Sequence, residues 1–362
     1  MKKENLWVAV VGAGAVGGEM VKILRQRKFP LSNLAIFARS KREEMIGDRK
    51  YDIQELKEDS LDQFDLALIA GSDKYDYHPG MIALERRKKN PSLPEITVID
   101  NGNEFRMHPD VPLVVPEVNP QALENHKGFI ASPNCSTIQL VMVLKPLMGS
   151  SHIDLKRVKR VVITTFQAVS GHSAAAREEL KSQQKDLADG MPPMLTPGIF
   201  PRQIASNCIP MIGSFREEDG GYTTEEMKLV NETRKILGDH SLQITATAVR
   251  VPVDNAHGMA VNVEFAEPVN TTWVNATLHN ASGVLVPSNI HEKLYSGIPS
   301  KKDWDLFPTQ LETSGKDDVY VGRLRQDLSV PHGLDMWIVA DNLRKGAALN
   351  VIQIAEHLIN NY

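Results

Sequence analysis

The hydrophobic pattern of the first part of the chain alternates between two kinds of segment. Four apolar runs have the length and character of strands buried on both faces of a parallel sheet: Leu6–Val11, Leu34–Ala38, Asp65–Ala70 and Ile96–Asp100. Between the last two runs, Met81–Lys88 has apolar residues at helical spacing. Strands that alternate with helices predict an α/β domain, which we place at residues 1–133.

The second part of the chain has a different pattern. Its β-branched or alternating segments predict the strands of a largely antiparallel or mixed sheet: Val158–Phe166, Ile244–Val253, Ala260–Phe265 and Asp318–Leu324. Helical spacing recurs at Ala174–Leu187 and Thr224–Leu237. We therefore predict a second domain over residues 134–341. Gly346–Ile359 is amphipathic, and we assign residues 342–362 to the first domain as its C-terminal helix.

Composition excludes several classes of partner. The chain has 362 residues, of which 42% are hydrophobic and 24% charged, and this length suits roughly two domains of about 150 residues each. A net charge of −4 without a long basic run argues against nucleic acid or an anionic membrane as the main partner. No apolar run reaches the roughly 18 to 20 uncharged residues of a membrane span.

Cysteine usage indicates the compartment. The only two cysteines, Cys135 and Cys208, show no paired spacing, which indicates free thiols in a reducing compartment, and the cytoplasm is the default. No spacing of His and Cys is typical of a metal site, so we expect no metal.

One of these cysteines has the setting of a nucleophile. Cys135 lies in Ala131–Thr137, directly before the apolar run Ile138–Leu144. At the start of a helix, unpaired backbone N–H groups and the positive end of the helix dipole favour a thiolate. The alternative is a structural thiol, which would be buried and unreactive.

A glycine-rich turn follows the first predicted strand and precedes a predicted helix. This context gives a GxGxxG-like motif its meaning, because glycines let backbone N–H groups approach a pyrophosphate at a helix N-terminus. The motif predicts a dinucleotide site at six consecutive residues: Gly12, Ala13, Gly14, Ala15, Val16 and Gly17.

The end of the second predicted strand indicates which dinucleotide binds. An NAD site carries an acidic residue there to bind the ribose 2′-OH, whereas this chain has Arg39 and Ser40. A guanidinium and a hydroxyl suit a 2′-phosphate, which favours NADP over NAD. The alternative is a solvated basic turn without a ligand.

The second domain offers polar residues that could act with a thiolate. Gln167 ends a strand, Arg250 lies on another strand and His257 follows that strand, while Glu225 and Lys228 share one side of a helix for which we predict Thr224 as the N-cap. Each has a structural alternative: the histidine as a surface group, the Glu/Lys pair as a helix contact, the arginine as the partner of a neighbouring residue.

The motifs taken together resemble aspartate-semialdehyde dehydrogenase over nearly the whole chain. The segments that carry the resemblance are Val98–Pro120, Ser132–Gln139, Thr165–Gly171, Glu225–Asp239, Ile244–Val253 with His257, Val319–Asp327 and Asp341–Asn350. The resemblance implies a Rossmann-like dinucleotide-binding domain, completed by the C-terminal helix, plus an α+β mixed-sheet domain for catalysis and dimerisation. It also implies a homodimer or homotetramer.

The implied reaction is the NADP-linked interconversion of L-aspartate 4-semialdehyde and 4-aspartyl phosphate, on the route to lysine, diaminopimelate, threonine and methionine. By similarity, Cys135 forms a thioester and His257 is the acid/base. The other roles are carried over together: Gln167 and Asn134 orient the carbonyl, Arg250 binds the α-carboxylate, Glu225 binds the amino group, and Arg106 and Lys228 bind phosphate. The implied cofactor residues are Gly12 to Gly17, Arg39, Ser40, Ser170, Gly171 and Asn342.

Some positions depart from the family pattern. The glycine turn is one residue shorter than usual, and Ala256–Met259 replaces a sequence close to Gly-His-Ser-Glu. We expect altered kinetics or cofactor preference rather than loss of activity. Two alternatives remain: an acyl-CoA reductase on the same fold, which would not need Glu225, and a binding paralogue without catalysis, against which the intact Cys135 and His257 count.

Overall fold

The computed structural model describes residues 4–71, 75–149, 158–193, 198–287 and 307–361. Residues 1–3 and 362, which the predicted domains include, lie outside these ranges. The chain forms two compact units: Met1–Asn134 with Ala347–Tyr362, and Cys135–Gly346. Across the described ranges, no helix is both long enough and apolar enough to cross a membrane.

The first unit contains a sheet of seven strands among its described residues, in the order β3-β4-β2-β1-β5-β6-β7. The strands are β1 (Leu6–Val11), β2 (Leu31–Ala38), β3 (Arg42–Ile46), β4 (Arg49–Glu55), β5 (Leu66–Ile69), β6 (Thr97–Asp100) and β7 (Phe129–Ala131). All neighbouring strands pair in parallel except β3 and β4. This arrangement confirms the predicted Rossmann-like α/β fold of the unit.

Helices complete the core of this unit. Helix α1 (Ala15–Gln26) follows β1, and α2 (Pro79–Lys89) follows β5. The C-terminal helix Leu349–Asn361 packs against α1, and its apolar residues join one core with β1 and β2. The helix predicted at Gly346–Ile359 therefore exists, but it begins at Leu349, three residues later than predicted, after a π-helical turn at Arg344–Ala348.

The second unit contains a mixed sheet of six strands among its described residues, in the order β11-β12-β13-β10-β8-β9. The strands are β8 (Val158–Gln167), β9 (Gln243–Arg250), β10 (His257–Phe265), β11 (Val284–Leu285), β12 (Val319–Gln326) and β13 (Gly333–Ala340). Strand β8 is parallel to β9, while β10 is antiparallel to both β8 and β13. The mixed sheet expected from the sequence is confirmed.

Among its described residues, the second unit contains the helices α3 (Cys135–Leu147), α4 (Ala174–Ala188), α5 (Thr224–Leu237) and α6 (Thr271–His279), with a short helix at Gln310–Thr313. Helix α5 packs on β9 and on α3. The predicted N-cap of α5 was wrong by one residue. Thr223, not Thr224, accepts the capping hydrogen bond, and Glu226 completes a capping box with it.

Candidate active site

Four residues stand side by side at one end of the second sheet. Arg250 pairs with Gln167, Gln167 pairs with His257, and His257 pairs with Ala340. We call these four residues the site row. Directly opposed residues on neighbouring strands project from the same face of a sheet, so three predicted polar side chains share one face. All three are nearly fully buried.

His257 is held in one tautomer. The backbone N–H of Ala168 donates to Nδ1 of His257 at 3.1 Å, so the neutral ring carries its proton on Nε2. Burial, reinforced by the positive charge of Arg250, lowers the pKa of His257 to about 3. Nε2 is buried and has no hydrogen-bond partner among the described residues. The ring is therefore a neutral hydrogen-bond donor at physiological pH.

Gly171 leaves room for these two side chains. A Cβ atom there would lie 2.7 Å from Nε2 of His257 and 3.3 Å from Nη1 of Arg250. The first distance is shorter than side chains tolerate, and the imidazole is buried and cannot move aside freely. Because position 171 lies directly beside Nε2 of His257, any residue larger than glycine there would block this ring nitrogen.

Arg250 supplies a buried positive charge. Its backbone N–H donates to the carbonyl of Ile209, and its carbonyl accepts from the N–H of Ile209. Its Nη1 donates to the carbonyl of Ala168 at 2.6 Å. Burial lowers the pKa of Arg250, while the nearby carboxylate of Glu225 and a thiolate at Cys135 would raise it. A guanidinium remains protonated even so. A buried guanidinium of this kind can stabilise a nearby thiolate and can bind a carboxylate.

Gln167 connects the site row to the two neighbouring helices. Its Nε2 donates to Oγ of Ser136 at 2.8 Å and to Oε1 of Glu225 at 3.2 Å. The other carboxylate oxygen of Glu225 forms an ion pair with Lys228 at 3.2 Å. Both amide protons of Gln167 are therefore engaged. To polarise a carbonyl, Gln167 must exchange one of these hydrogen bonds for a bond to the substrate.

Cys135 is the first residue of α3 and is partly exposed, as expected for a nucleophile at a helix start. Neither it nor Cys208 forms a disulfide. A Cβ atom on Gly346 would lie 2.9 Å from Cβ of Cys135, so the π-helical turn passes directly against the cysteine. Sequence analysis did not single out Gly346, although it lies within the resembling segment Asp341–Asn350. Its closeness to Cys135 depends on a turn that no local pattern indicates.

Asn342, together with Ser170, holds the backbone of Ala256, the residue directly before His257 in the chain. Oδ1 of Asn342 accepts hydrogen bonds from the backbone N–H of Ala256 at 3.0 Å and from Oγ of Ser170 at 3.1 Å. Oγ of Ser170 also lies 2.9 Å from Oδ1 of Asn255. Both residues are buried, and both belong to the second unit. Their cofactor role stays a prediction.

The glycine turn of the first unit has a conformation that depends on its glycines. Gly12 has a φ of +100°, and a Cβ atom on Gly17 would lie 1.7 Å from the carbonyl oxygen of Gly12. A Cβ atom on Gly14 would meet nothing within 4 Å, and this residue caps α1 without a side-chain hydrogen bond. The turn, which also contains Ala13, Ala15 and Val16, therefore presents open space and a helix N-terminus to a ligand.

Arg39 and Ser40 directly follow β2 and are exposed. Arg42 pairs with Glu44 at 2.9 Å, whereas Arg39 forms no ion pair with any residue that the structure describes. Burial raises the pKa of the Tyr75 phenol, and the positive charge of nearby Arg39 partly offsets this rise. This tyrosine was not identified from the sequence, because nothing in the spacing connects it with β2.

The other two predicted residues of the first unit are both buried. Nη2 of Arg106 donates to the carbonyl of Asn101 at 2.8 Å. Asn134 is the last residue before Cys135 and ends the N-terminal segment of the first unit. The phosphate contact of Arg106 and the carbonyl contact of Asn134 stay predictions.

Known proteins resemble this chain along nearly its whole length. The family model described as semialdehyde dehydrogenase, NAD binding domain, matches residues 7–126, and the one described as semialdehyde dehydrogenase, dimerisation domain, matches residues 144–345. An aspartate-semialdehyde dehydrogenase of Prochlorococcus marinus is 41% identical, with 98% of this chain and 96% of that protein covered. One of Aquifex aeolicus is 40% identical, with 97% of each covered.

Solved structures agree with the sequence comparison. The crystal structure of aspartate semialdehyde dehydrogenase II from Vibrio cholerae has a TM-score of 0.85 at 38% identity and covers 99% of this chain and 100% of that chain. The same enzyme complexed with ASA gives 0.84 at 37% identity, with the same coverage.

Proposed function

The chain belongs to the aspartate-semialdehyde dehydrogenase family, and we propose that it interconverts L-aspartate 4-semialdehyde and 4-aspartyl phosphate with NADP(H) through a thioester on Cys135. It is an oxidoreductase with a domain for a nicotinamide dinucleotide. The observation that supports the proposal most strongly is the site row, which brings Arg250, Gln167 and His257 together in one unit with Cys135. The product would enter the synthesis of lysine, diaminopimelate, threonine and methionine.

Substrate binding would rest on two opposite charges. Arg250 would bind the α-carboxylate through its planar guanidinium, which suits a carboxylate better than a point charge does. Glu225 would bind the amino group, and its electrostatic interaction with Arg250 shows that both charges belong to one region. The acyl group of a substrate such as malonyl-CoA carries no charged amino group to match Glu225, so this carboxylate favours the amino-acid substrate.

The first chemical step would form a bond between Sγ of Cys135 and the acyl carbon. In the reductive direction, phosphate leaves with the electrons of the broken carbon–oxygen bond, and Arg106 and Lys228 would bind the departing anion. The charge of Arg250 and the start of α3 favour the thiolate that attacks. Asn134 and Gln167 would hold the carbonyl oxygen during the attack.

Reduction would then convert the thioester into a thiohemiacetal. Bound NADPH would supply the hydride. The oxygen that gains negative charge would accept a hydrogen bond from Nε2 of His257, which carries a proton because Nδ1 accepts from the N–H of Ala168. When this oxygen forms the carbonyl of the aldehyde again, the sulfur leaves as thiolate and the proton stays on Nε2. The role predicted for His257 would thus be exerted on the substrate oxygen through one ring nitrogen.

The first unit would hold the cofactor. The open, glycine-lined turn from Gly12 to Gly17 fits a pyrophosphate, and exposed Arg39 and Ser40 would bind the 2′-phosphate of NADP. In the second unit, Ser170, Gly171 and Asn342 would line the nicotinamide side. We assign the first unit to the cofactor and the second to catalysis and dimerisation.

The outer face of the second sheet would form a homodimer interface, alone or within a homotetramer. Its side chains alternate with those of the buried face that carries the site row. Here Thr164, Ala260 and Trp337 line a surface cavity of about 380 Å³. The matching family model is described as a dimerisation domain. A cytoplasmic location would keep the thiol of Cys135 reduced.

The deciding experiment is phosphate-dependent reduction of NADP⁺ by purified protein supplied with L-aspartate 4-semialdehyde. We expect turnover that disappears in Cys135→Ala and persists in Cys208→Ala, because Cys208 is an exposed cysteine outside the proposed machinery. A folded wild-type protein that leaves NADP⁺ unreduced would contradict the proposed substrate, and an acyl-CoA substrate would be tried next.

A further inference from the structure

A glutamine outside every predicted motif connects the two strands that carry Gln167 and His257. Nε2 of Gln310 donates to the carbonyl of Phe166 at 2.9 Å and to the carbonyl of Ala256 at 2.8 Å. Each carbonyl belongs to the residue directly before a member of the site row. One side-chain amide therefore bridges β8 and the entry to β10 at the level of the proposed chemistry.

Ala256 explains why this bridge is needed. It has a φ of +69°, a left-handed conformation that is unfavourable for alanine because its Cβ atom crowds the backbone. Its N–H donates to Oδ1 of Asn342 at 3.0 Å, and its carbonyl accepts from Gln310. Two side-chain amides thus hold both polar groups of a strained residue, and the next residue in the chain is His257.

Gln310 itself is firmly held. It is the first residue of the short helix Gln310–Thr313, whose N-cap Thr309 forms a capping box with Glu312. On one side of this helix, Nε1 of Trp337 donates to the carbonyl of Pro308 at 3.0 Å. On the other side, Asn255 donates to Oγ of Ser314 at 2.8 Å. The amide of Gln310 consequently has a defined position from which to hold Ala256.

We propose that Gln310 is a positioning residue that sets the orientation of the His257 imidazole by pinning the carbonyls of Phe166 and Ala256. The inference rests on the proposed function, in which Nε2 of His257 donates a hydrogen bond to the substrate oxygen. Gln310 bonds to backbone atoms and to none of the groups proposed to react. The hydrogen bond from Ala168 to Nδ1 spans the same two strands, and it keeps its geometry only if the spacing of these strands is fixed.

The test compares Gln310→Met with a matched control, Gln326→Met. Gln326 is also partly buried and also donates its amide to a backbone carbonyl, that of Gly333, but at the opposite end of the same sheet. For Gln310→Met we expect kcat to fall about tenfold to a hundredfold, because small displacements of a proton donor have effects of this size. The KM for NADP⁺ should stay within about twofold. The control should keep the wild-type kcat.

One further measurement and one reserve variant complete the test. Nitrogen NMR of ¹⁵N-histidine-labelled protein should show a neutral Nε2–H tautomer for His257 in the wild type and a changed His257 signal only in Gln310→Met. If Gln310→Met does not fold, Gln310→Asn retains an amide that is too short to reach both carbonyls. A kcat and a His257 signal equal to those of the control would overturn the proposal. A wild type without turnover, but with the expected change in the His257 signal, would overturn the proposed reaction and leave the positioning role standing.

Discussion

Glu225 and Glu226 are consecutive residues of α5, both buried, and their carboxylates have opposite surroundings. Glu225 contacts the side chains of Gln167 and Lys228. Glu226 instead accepts hydrogen bonds from the backbone N–H groups of Thr223 at 2.7 Å and Ala248 at 2.9 Å. One carboxylate thus faces the candidate site, while the other ties the helix to β9.

Glu226→Ala should therefore lower stability, and Glu225→Gln should lower substrate affinity. Glu226→Ala leaves two buried N–H groups without an acceptor, which costs about 1 to 3 kcal/mol for each group.

Glu225→Gln removes the charge proposed to bind the amino group of the substrate. Urea unfolding and the KM for L-aspartate 4-semialdehyde measure the two effects. A Glu225→Gln enzyme with an unchanged KM would remove Glu225 from the substrate site.

Gly171→Ala should reduce turnover without unfolding the protein. Its Cβ atom would press on Nε2 of His257, so the imidazole must move from its place beside Arg250. We expect kcat to fall about tenfold to a hundredfold. The matched control is Gly238→Ala. Gly238 has a φ of +68° and open space where a Cβ atom would lie, so this variant should lose stability but keep its turnover. Equal kcat values for the two variants would show that the space beside His257 is not needed.

The buried, neutral His257 makes stability depend on pH. Its pKa is about 3 in the folded protein and about 6.5 in the unfolded chain, so between these values the unfolded chain binds a proton that the folded one does not. The free energy of unfolding should therefore decrease as the pH falls through this window, by up to about 1.4 kcal/mol per pH unit. Burial also lowers the pKa of His126 and His172, which act in the same direction.

Urea unfolding from pH 7 to pH 4.5 measures this dependence. His257→Gln, which cannot be protonated, isolates the contribution of His257 from those of the other histidines. We expect the wild type to lose stability more steeply than the variant below about pH 6. Parallel curves would mean that the ring is protonated in the folded state, which would contradict its role as a neutral donor.

Local signals were sufficient for much of the fold. The start of α3 near Cys135 and the extent of α5 followed from apolar periodicity, although the N-cap of α5 lies one residue earlier than predicted. The hairpin of β3 and β4 was missed because its residues are mostly charged, and only Ile46 and Ile53 are buried. Such strands at a sheet edge carry no apolar alternation for a pattern to detect.

The arrangement of the candidate site needed the structure. Gln167 and His257 are far apart in the chain, and their pairing depends on the register of β8 against β10. Register is set by side-chain packing across the whole sheet, not by residues near either one. The same holds for Gln310, which contacts Phe166 across 144 positions of sequence. The family resemblance named the polar residues but not the amide that holds their strands together.

Arg39→Ala should weaken the binding of NADP⁺ and leave the binding of NAD⁺ unaffected. Loss of a charged hydrogen bond to the 2′-phosphate removes about 1.5 to 3 kcal/mol of binding energy, which corresponds to an increase in KM for NADP⁺ of about tenfold to a hundredfold. Arg49→Ala, an exposed arginine on β4 of the same sheet, controls for the loss of positive charge. If both cofactors weaken equally, Arg39 contributes general electrostatic attraction rather than recognition of the 2′-phosphate.

Ala260→Arg should separate the proposed dimer. Ala260 lies exposed in the middle of β10, directly opposite Thr164 on β8 and Trp337 on β13, on the face away from the site row. A guanidinium buried there between two copies would lack a compensating partner and would cost several kcal/mol. Light scattering coupled to size-exclusion chromatography should give a dimer-sized particle for the wild type and a monomer for Ala260→Arg. Ser92→Arg, in an exposed loop of the first unit, should keep the mass of the wild type. A variant that retains the wild-type mass would place the interface on another surface.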